Sequence, residues 1–212
     1  MILKQSDPSA SKIAAKILKN NGIICFATET VYALACNASS DLAVAKLYQI
    51  KQRDLKKPVA IFVKNLATAK QLLRFNKDEE TIAEKFMPGM ITLILQKITN
   101  ADQKNNVSSL LNNNDQNLGL RIPDHKFCQE LLNEFDGIIA ATSANSSGQP
   151  AATDFTKSLQ YFKKKIDLII DGGVCAHKIA STVLRIEDGV QIIRSGLITK
   201  NQLEESLRIC KN

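Results

Sequence analysis

The sequence predicts an α/β fold of one domain with a mixed, twisted sheet. Helical and strand-like patterns alternate along its 212 residues without a detectable internal repeat, which is typical of helices packed on a sheet. The turn Asp188-Gly189 lies between two apolar runs. Because Asp-Gly is typical of a two-residue hairpin, part of the sheet must be antiparallel. No change in composition marks a linker, so we expect residues 1–212 to form one domain.

Apolar periodicity and turn residues set the elements of the first half. A first helix is expected after Ser9 up to a C-terminal cap at Gly22, and the apolar run 23–26 predicts a buried strand that opens into a polar turn. Residues 39–41 offer three N-caps for a second helix through about residue 50. Beyond it we predict a strand at 59–63, two helices at 66–75 and 79–86 that Pro88-Gly89 stops, and an interior strand at 91–95.

An asparagine-rich segment, about 99–117, divides the two halves of the pattern. It is almost free of large apolar groups, and asparagine favours turns, so we expect a mobile surface loop inserted into the domain. Ordered structure is predicted to return at 118–123. It continues with helices at 126–135, 154–162 and about 200–209, and with strands at 138–141, 168–170, 182–186 and 190–193.

Composition limits the class of protein. The 28 basic and 21 acidic residues give a net charge of +7, which favours anionic partners such as nucleotides or RNA. Five scattered cysteines without a C-x-x-C pair indicate neither a disulfide framework nor a zinc site, and a reducing cytosol is the simplest setting. The two histidines form no H-E-x-x-H motif. Without a signal-peptide pattern or an apolar run of 18 residues, we expect a cytoplasmic protein that does not span membranes.

Small polar side chains are crowded into residues 141–148, directly after the apolar run 137–140. In open α/β sheets, ligands bind outside the carboxyl ends of strands, where short hydroxyls and backbone N–H groups can approach a phosphate or carboxylate. A serine-rich loop without function fits this segment equally well when it is taken alone.

A basic loop at 51–58 carries Lys51, Arg53, Lys56 and Lys57. Arginine presents a planar fork and lysine a point charge, so together they can hold the phosphates of a nucleotide from two angles. A solvated run of charges is the commoner alternative. Neither the P-loop pattern nor G-x-G-x-x-G occurs, so phosphate binding would have to use another device.

Six motifs occur in one order along nearly the whole chain: 26–34 (FATETVYAL), 51–53 (KQR), 88–93 (PG and TL), 120–125 (LRIPDH), 142–148 (TSAN and SG) and 181–183 (STV). In these motifs the chain resembles the YrdC-like enzymes that make L-threonylcarbamoyladenylate, the activated intermediate for the threonylcarbamoyl group on adenosine 37 of tRNA. It is similar to their short, single-domain TsaC-type form.

The resemblance implies a YrdC-like α/β twist around a deep, concave, basic cavity. It also implies a reaction of L-threonine, bicarbonate and ATP that yields threonylcarbamoyl-AMP and pyrophosphate without a covalent enzyme intermediate. Such a reaction requires positioning and cations rather than a nucleophile. Mg²⁺ is expected with the ATP, bound mainly through phosphates and water, and no residue is assigned as a metal ligand. A separate threonylcarbamoyl transferase would receive the intermediate, with tRNA as a further candidate partner.

The resemblance implies catalytic and ATP-binding roles for the residues that match the family motifs. Lys51 and Arg53 match K-x-R, which contacts the nucleotide phosphates, and Ser143 and Asn145 match the S-x-N that completes the site. We expect these four residues to be catalytic. The resemblance adds three ATP neighbours, Ala141, Ala151 and Arg194.

For L-threonine, the resemblance implies contacts with Thr30 and Ser181 and a pairing of Arg121 with the substrate carboxylate. Glu29 could act as a general base, but a role in orienting Lys51 or another cation is favoured. The structural alternative for Thr30 is a half-buried strand position, since Thr28, Thr30 and Tyr32 alternate.

Some residues depart from the family pattern or fit a structural role. The departures are Ala27 for proline, Ala33 for glycine, Lys57 for a frequent asparagine, Phe62 for a threonine-contacting histidine of some members, and Met90 for a second proline. His125 is expected to start a helix, His177 to lie in a loop, and Cys36 to be a buried, inert thiol.

Two other functions are weighed against the synthase. A non-catalytic RNA-binding module of the same fold would also use the charge of +7 to attract a phosphate backbone. Transfer from carbamoyl phosphate, as in related multidomain hydrogenase-maturation proteins, is disfavoured because their zinc-finger and acylphosphatase-like parts are absent from this sequence.

Overall fold

The computed structural model describes residues 1–98, 107–113 and 115–209, and in them ten strands form one sheet. The strands are β1 (Ile2–Lys4), β2 (Ile24–Phe26), β3 (Ala33–Asn37), β4 (Ala60–Phe62), β5 (Ile91–Gln96), β6 (Asn117–Arg121), β7 (Ile139–Ser143), β8 (Leu168–Asp171), β9 (Thr182–Glu187) and β10 (Gly189–Arg194). The helices are α1 (Ala10–Lys19), α2 (Asp41–Lys51), α3 (Leu66–Lys70), α4 (Lys77–Phe86), α5 (Lys126–Phe135), α6 (Phe155–Phe162) and α7 (Lys200–Ile209).

The sheet is mixed, as the sequence predicts. Its strand order is β1-β8-β2-β3-β7-β4-β6-β5-β9-β10. It contains parallel pairs such as β4 with β6 and antiparallel pairs such as β3 with β7. The predicted hairpin at Asp188-Gly189 is confirmed: it joins antiparallel β9 and β10, and Gly189 has a φ of 117°, in the region that favours glycine.

Helices cover the two faces of the sheet unequally, and this difference creates the site. On one face, α2, α4, α6 and α7 contribute buried residues to a core with the strands. On the other face, α1 and α5 pack over the half of the sheet that contains β8, β2, β3 and β7. Among the strands that contribute to this second core, β4 is the last one along the strand order, and it contributes Phe62. Beyond it, the same face of β4, β6, β5 and β9 lines a cavity.

Several element boundaries differ from the sequence prediction. The first helix ends at Lys19, and Asn21 rather than Gly22 takes the left-handed conformation, with a φ of 58°. The prediction of Gly22 as the cap is therefore wrong: asparagine also tolerates this conformation. The helix predicted at 66–75 ends at Lys70, whereas α4 begins early because Asn76 and Glu79 form a capping box.

The second part of the predicted surface loop is packed against the core. Residues Ser109–Asn112 form a short 3-10 helix, and Leu111 is fully buried. The backbone N–H of Val59 donates to Leu111 O at 2.7 Å, and that of Ser108 donates to Ala38 O at 2.8 Å. The expected mobile loop is thus wrong for this part, because a buried leucine fixes it. Residues 99–106 and 114, and Cys210, lie outside the described residues.

The described cysteines are buried among apolar groups. Cys25, Cys36, Cys128 and Cys175 are free and buried, and burial raises the pKa of the Cys36 thiol to about 12. A reactive thiolate is therefore disfavoured at Cys36. Within the described part of the chain, no helix is long and apolar enough to cross a bilayer.

Candidate active site

A cavity of about 710 Å³ lies over the uncovered half of the sheet. Because side chains alternate along a strand, one face supplies its floor. The strand residues with the smallest side chains on this floor are Ala33, Ala60, Gly119 and Ala141. A Cβ at Gly119 would come within 3.2 Å of Ala60 Cβ and Thr92 Cγ2, so glycine keeps the floor open at this point.

Positive charge dominates the walls. The basic residues that line the cavity are Arg53, Lys56, Arg121, Arg185 and Arg194, and the one carboxylate among the described lining residues is Asp115. Burial lowers the pKa of the Arg194 guanidinium, and the charges of Arg121 and Arg53 lower it further. Arg121 and Arg185 are paired with Glu29 and Glu187. Arg53, Lys56 and Arg194 face the cavity without a carboxylate partner among the described residues, an arrangement suited to a polyanion.

The predicted catalytic residues Lys51, Ser143 and Asn145 meet beside this cavity. Lys51 is the last residue of α2, and Ser143 is the last residue of β7. The Lys51 ammonium donates to Ser143 O, to Ser143 Oγ at 3.4 Å and to Asn145 Oδ1 at 2.7 Å. Ser143 lines the cavity, whereas Lys51 is buried behind it with 1% of its surface exposed.

Burial makes the charge of Lys51 sensitive to pH. Desolvation, with repulsion from Arg53 and Arg194, lowers the pKa of Lys51 to about 7, although the thiol of Cys25 opposes the shift. Near neutral pH the ammonium is therefore partly deprotonated. An anion bound in the cavity would favour the charged form.

The chain turn after α2 separates Lys51 from Arg53. Gln52 adopts a left-handed conformation with a φ of 50°, and the backbone N–H of Arg53 donates to Tyr48 O at 3.0 Å. The guanidinium then donates to Lys57 O and Pro58 O within its own loop. This turn sends Lys51 inward and places Arg53 on the cavity wall.

A buried ion pair fixes Arg121. Its Nη2 donates to Glu29 Oε1 at 2.7 Å and to Thr30 Oγ1 at 2.9 Å, and its Nε donates to Gly89 O at 3.3 Å. The guanidinium also lies 5.4 Å from the centre of the Phe62 ring. Glu29 thus orients a cation, Arg121 rather than Lys51.

The turn that supplies Thr30 is held by Thr28. Thr28 Oγ1 accepts from the backbone N–H groups of Thr30 and Val31 and donates to Val31 O at 2.7 Å. Residues 28–32 are a hydrogen-bonded turn rather than the alternating strand of the structural alternative. Thr30 is fully buried and does not line the cavity, but its hydroxyl accepts a hydrogen bond from Arg121, which does.

Ser181 is tied to Arg194 and to Thr92. Arg194 Nη2 donates to Ser181 O at 2.8 Å and to Ser181 Oγ at 3.1 Å. The hydroxyls of Ser181 and Thr92 are 2.8 Å apart, and both residues line the cavity. This pair joins β5 to the residue that precedes β9.

The structure places most predicted site residues at one cavity. Six line its wall: Arg53, Arg121, Ala141, Ser143, Ser181 and Arg194. Lys51, Asn145 and Thr30 lie directly behind it and contact lining residues. Ala151 is not a lining residue. The backbone of its neighbour Ala152 donates to Ala144 O and accepts from the Tyr32 N–H.

Sequence reasoning missed several lining residues that belong to strands. Thr92 and Arg185 were given no role, although period-two alternation from Ile94 and Ser181 would have placed them on the same face. Arg185 donates to Gln191 Oε1 at 2.8 Å across the β9–β10 hairpin.

The two histidines lie where the sequence predicts them. His125 is the residue before α5, as predicted, and burial lowers its pKa. His177 lies outside the helices and strands, and its backbone N–H donates to Glu29 O at 3.0 Å. No group of three or more metal-ligating side chains occurs in the described residues, so this part of the chain offers no protein cage for Mg²⁺.

The profile of the Sua5/YciO/YrdC family, whose description reads "Telomere recombination", matches residues 16–196. A protein of Bacillus subtilis (strain 168) named threonylcarbamoyl-AMP synthase is 33% identical over 204 residues, which are 95% of this chain and 57% of that protein. A protein of Methanocaldococcus jannaschii is 33% identical over 191 residues, 89% of this chain and 86% of its own length.

Solved structures share the fold. Pyrococcus abyssi Sua5, crystallised in complex with L-threonine, has a TM-score of 0.90 at 28% identity, over 97% of this chain and 60% of that one. E. coli YciO has a TM-score of 0.83 at 20% identity, over 96% and 97% of the two chains, which indicates a common fold. This chain is a member of the Sua5/YciO/YrdC family.

Proposed function

We propose that this chain is a cytoplasmic threonylcarbamoyl-AMP synthase that converts L-threonine, bicarbonate and ATP to threonylcarbamoyl-AMP and pyrophosphate. The name of the B. subtilis relative and the L-threonine complex of P. abyssi Sua5 support this proposal. The observation that carries it is that the guanidinium groups of Arg53, Arg121 and Arg194 meet at one cavity beside a second cluster. The residues of that cluster are Lys51, Ser143 and Asn145.

The reaction has two steps. The neutral amine of threonine attacks the carbon of bicarbonate, so that an N–C bond forms, water is lost, and a carbamate results. A carbamate oxygen then attacks the α-phosphorus of ATP, an O–P bond forms, and the bond to the β-phosphate bridge breaks to release pyrophosphate. Both steps join anions, so the main requirement is to gather them and to offset charge on the phosphates.

In this proposal, different basic residues bind different reactants. Arg53 and Arg194 hold the ATP phosphates, and Arg121, fixed by Glu29 and Thr30, pairs with the threonine carboxylate. Lys51 holds Ser143 and Asn145 in place and adds charge behind them. Ala141 and Ser181 flank the ligands as lining residues, whereas Ala151 would affect the adenylate only through its neighbours.

Mg²⁺ would enter with ATP, bound by phosphate oxygens and water, and its positive charge would offset the negative charge on the departing pyrophosphate. The product would pass to a threonylcarbamoyl transferase that modifies tRNA adenosine 37. An acyl adenylate hydrolyses readily, so its transfer to an amine must follow soon after release.

The test is incorporation of labelled bicarbonate into an adenylate that requires L-threonine and ATP. Lys51→Ala and Arg53→Ala should each lower the rate by about 100- to 1000-fold, the usual effect of removing one preorganised charge-stabilising group. Lys46→Ala is the matched control, since Lys46 lies on the same helix with an exposed side chain paired to Asp167. It should retain nearly full activity.

Two outcomes would contradict the proposal. Near-normal turnover in folded Lys51→Ala and Arg53→Ala would remove the basis for the assigned site. Well-folded wild-type protein that forms no product, gains no thermal stability from ATP or threonine and binds tRNA in a salt-dependent way would favour the RNA-binding module.

A further inference from the structure

We propose that Thr92, through its hydroxyl, donates a hydrogen bond to the carboxylate of the amino-acid substrate beside Arg121. This inference rests on the proposed function and adds a substrate-binding residue to it.

The sheet register places Thr92 next to Arg121. Antiparallel β5 and β6 pair Leu93 with Leu120, and the same register continues to Thr92 opposite Arg121. Neighbouring strands are about 4.8 Å apart, and residues on one face of such a pair are within reach of one ligand. Both residues line the cavity.

One guanidinium nitrogen of Arg121, Nη1, remains available to donate a hydrogen bond to a ligand. Nη2 and Nε are engaged by Glu29, Thr30 and Gly89, whereas no oxygen of the described residues accepts a hydrogen bond from Nη1. Because Arg121 and Thr92 both line the cavity on neighbouring strands, a carboxylate that pairs with Nη1 in the cavity would lie near Thr92.

The Thr92 and Ser181 hydroxyls have one proton more than they need for each other. A guanidinium can only donate, so Ser181 Oγ accepts from Arg194. That contact makes the Ser181 hydroxyl a stronger donor, which favours its donation to Thr92 Oγ1 at 2.8 Å. The proton of Thr92 then has no acceptor among the described residues.

The floor fixes the position of the Thr92 side chain. Thr92 Cγ2 lies against Gly119, 3.2 Å from where a Cβ of residue 119 would stand, and the side chain is 5% exposed. The methyl packing and the Ser181 contact together leave the side chain little freedom to rotate about χ1, so the hydroxyl oxygen is held at the cavity and its O–H can turn to a bound acceptor. A donor held in this way suits an anionic acceptor, because hydrogen bonds to charged groups are the stronger ones.

The experiment measures L-threonine binding by calorimetry with saturating α,β-methylene-ATP, whose α–β bridge cannot be cleaved. Thr92→Val keeps the shape and removes the hydroxyl, so the Kd of L-threonine should rise about tenfold or more. The Kd of α,β-methylene-ATP should stay within about twofold. Thr92→Ser, which keeps the hydroxyl, should bind L-threonine within about threefold of wild type.

Several results would overturn the assignment. Wild-type affinity in Thr92→Val, equal weakening in Thr92→Ser, or parallel loss of both ligands would each show that the hydroxyl does not bind the carboxylate. Thr92→Ala is measured in the same way if valine disturbs the fold. A wild-type protein that binds no L-threonine would overturn the proposed function as well, whereas normal wild-type binding with an unaffected Thr92→Val would overturn this inference alone.

Discussion

Nζ of Lys51 lies 2.7 Å from Oδ1 of Asn145, although 94 residues separate the two in sequence. The end of α2 thereby meets the segment that follows β7, and a buried ammonium finds an amide oxygen in place of water. An amide oxygen compensates only partly for the hydration that burial removes. The pKa of Lys51 is therefore lowered to about 7, and its ammonium is only partly protonated at neutral pH. A bound phosphate would stabilise it.

This relationship predicts a pH dependence of nucleotide binding. Because the pKa of Lys51 in the free protein is about 7, the ammonium is charged below pH 7 and is lost as the pH rises. Binding of α,β-methylene-ATP should then take up a proton above pH 7. Its Kd should increase by up to tenfold per pH unit until the pKa of the complex is reached, as measured by calorimetry from pH 6 to 9.

Lys51→Arg provides the control, since a guanidinium stays protonated throughout this range. The phosphates of the nucleotide also titrate near pH 7 and gain charge as the pH rises, so the difference between the two proteins isolates Lys51. Parallel pH profiles for wild type and Lys51→Arg would contradict the prediction.

The fold class was predictable because alternation and turn chemistry are local signals. The sequence-based strands that agree with the structure are apolar and β-branched, as in β5 and β9. The strands β1 and β3 were missed: β1 has three residues near the start of the chain, and β3, with two alanines, has low strand propensity. Pairing with neighbours, which no local window contains, stabilises them as strands.

The candidate site was predictable as a set of motifs but not as a geometry. Arg121 and Glu29 are 92 residues apart, and Thr92 and Ser181 are 89 apart, so only the assembled sheet brings each pair together. The roles given to Lys51, Arg53, Ser143 and Asn145 stay predictions. What the structure adds is that Lys51 faces Ser143 and Asn145 rather than the open cavity.

The Glu29–Arg121 pair should be important for stability. Its side chains are 10% and 6% exposed, so removing one partner leaves an uncompensated charge in a region of low dielectric. Arg121→Met should lower the free energy of unfolding by about 3–5 kcal/mol, measured by urea denaturation at pH 7.

Two comparisons test the cause of that loss. The double variant Arg121→Met with Glu29→Leu should recover at least half of it, since no buried charge is then left unpaired. Lys70→Met, which breaks the exposed pair with Glu80, should cost less than about 1 kcal/mol. A double variant less stable than Arg121→Met would refute the electrostatic explanation.

Gly196 lies two residues after the end of β10 and packs closely against the backbone of residues 180–182. A Cβ at this position would lie 2.4 Å from Thr182 N and 2.6 Å from Ala180 O, both of them backbone atoms that cannot turn aside. Gly196→Ala should therefore force the two segments apart and destabilise the protein by about 1–3 kcal/mol, the usual range for overpacking. Thermal unfolding measures the change.

The same displacement should reach the cavity, because Arg194 holds Ser181 through both its carbonyl and its hydroxyl oxygen. Gly196→Ala should accordingly weaken L-threonine binding as well as stability, whereas Ser195→Ala, at an exposed neighbouring position, should alter neither. If Gly196→Ala is destabilised but binds L-threonine as wild type does, then the Arg194–Ser181 contact is not needed to shape the threonine site. The close packing of Gly196 against the backbone of Thr182 would then serve folding alone.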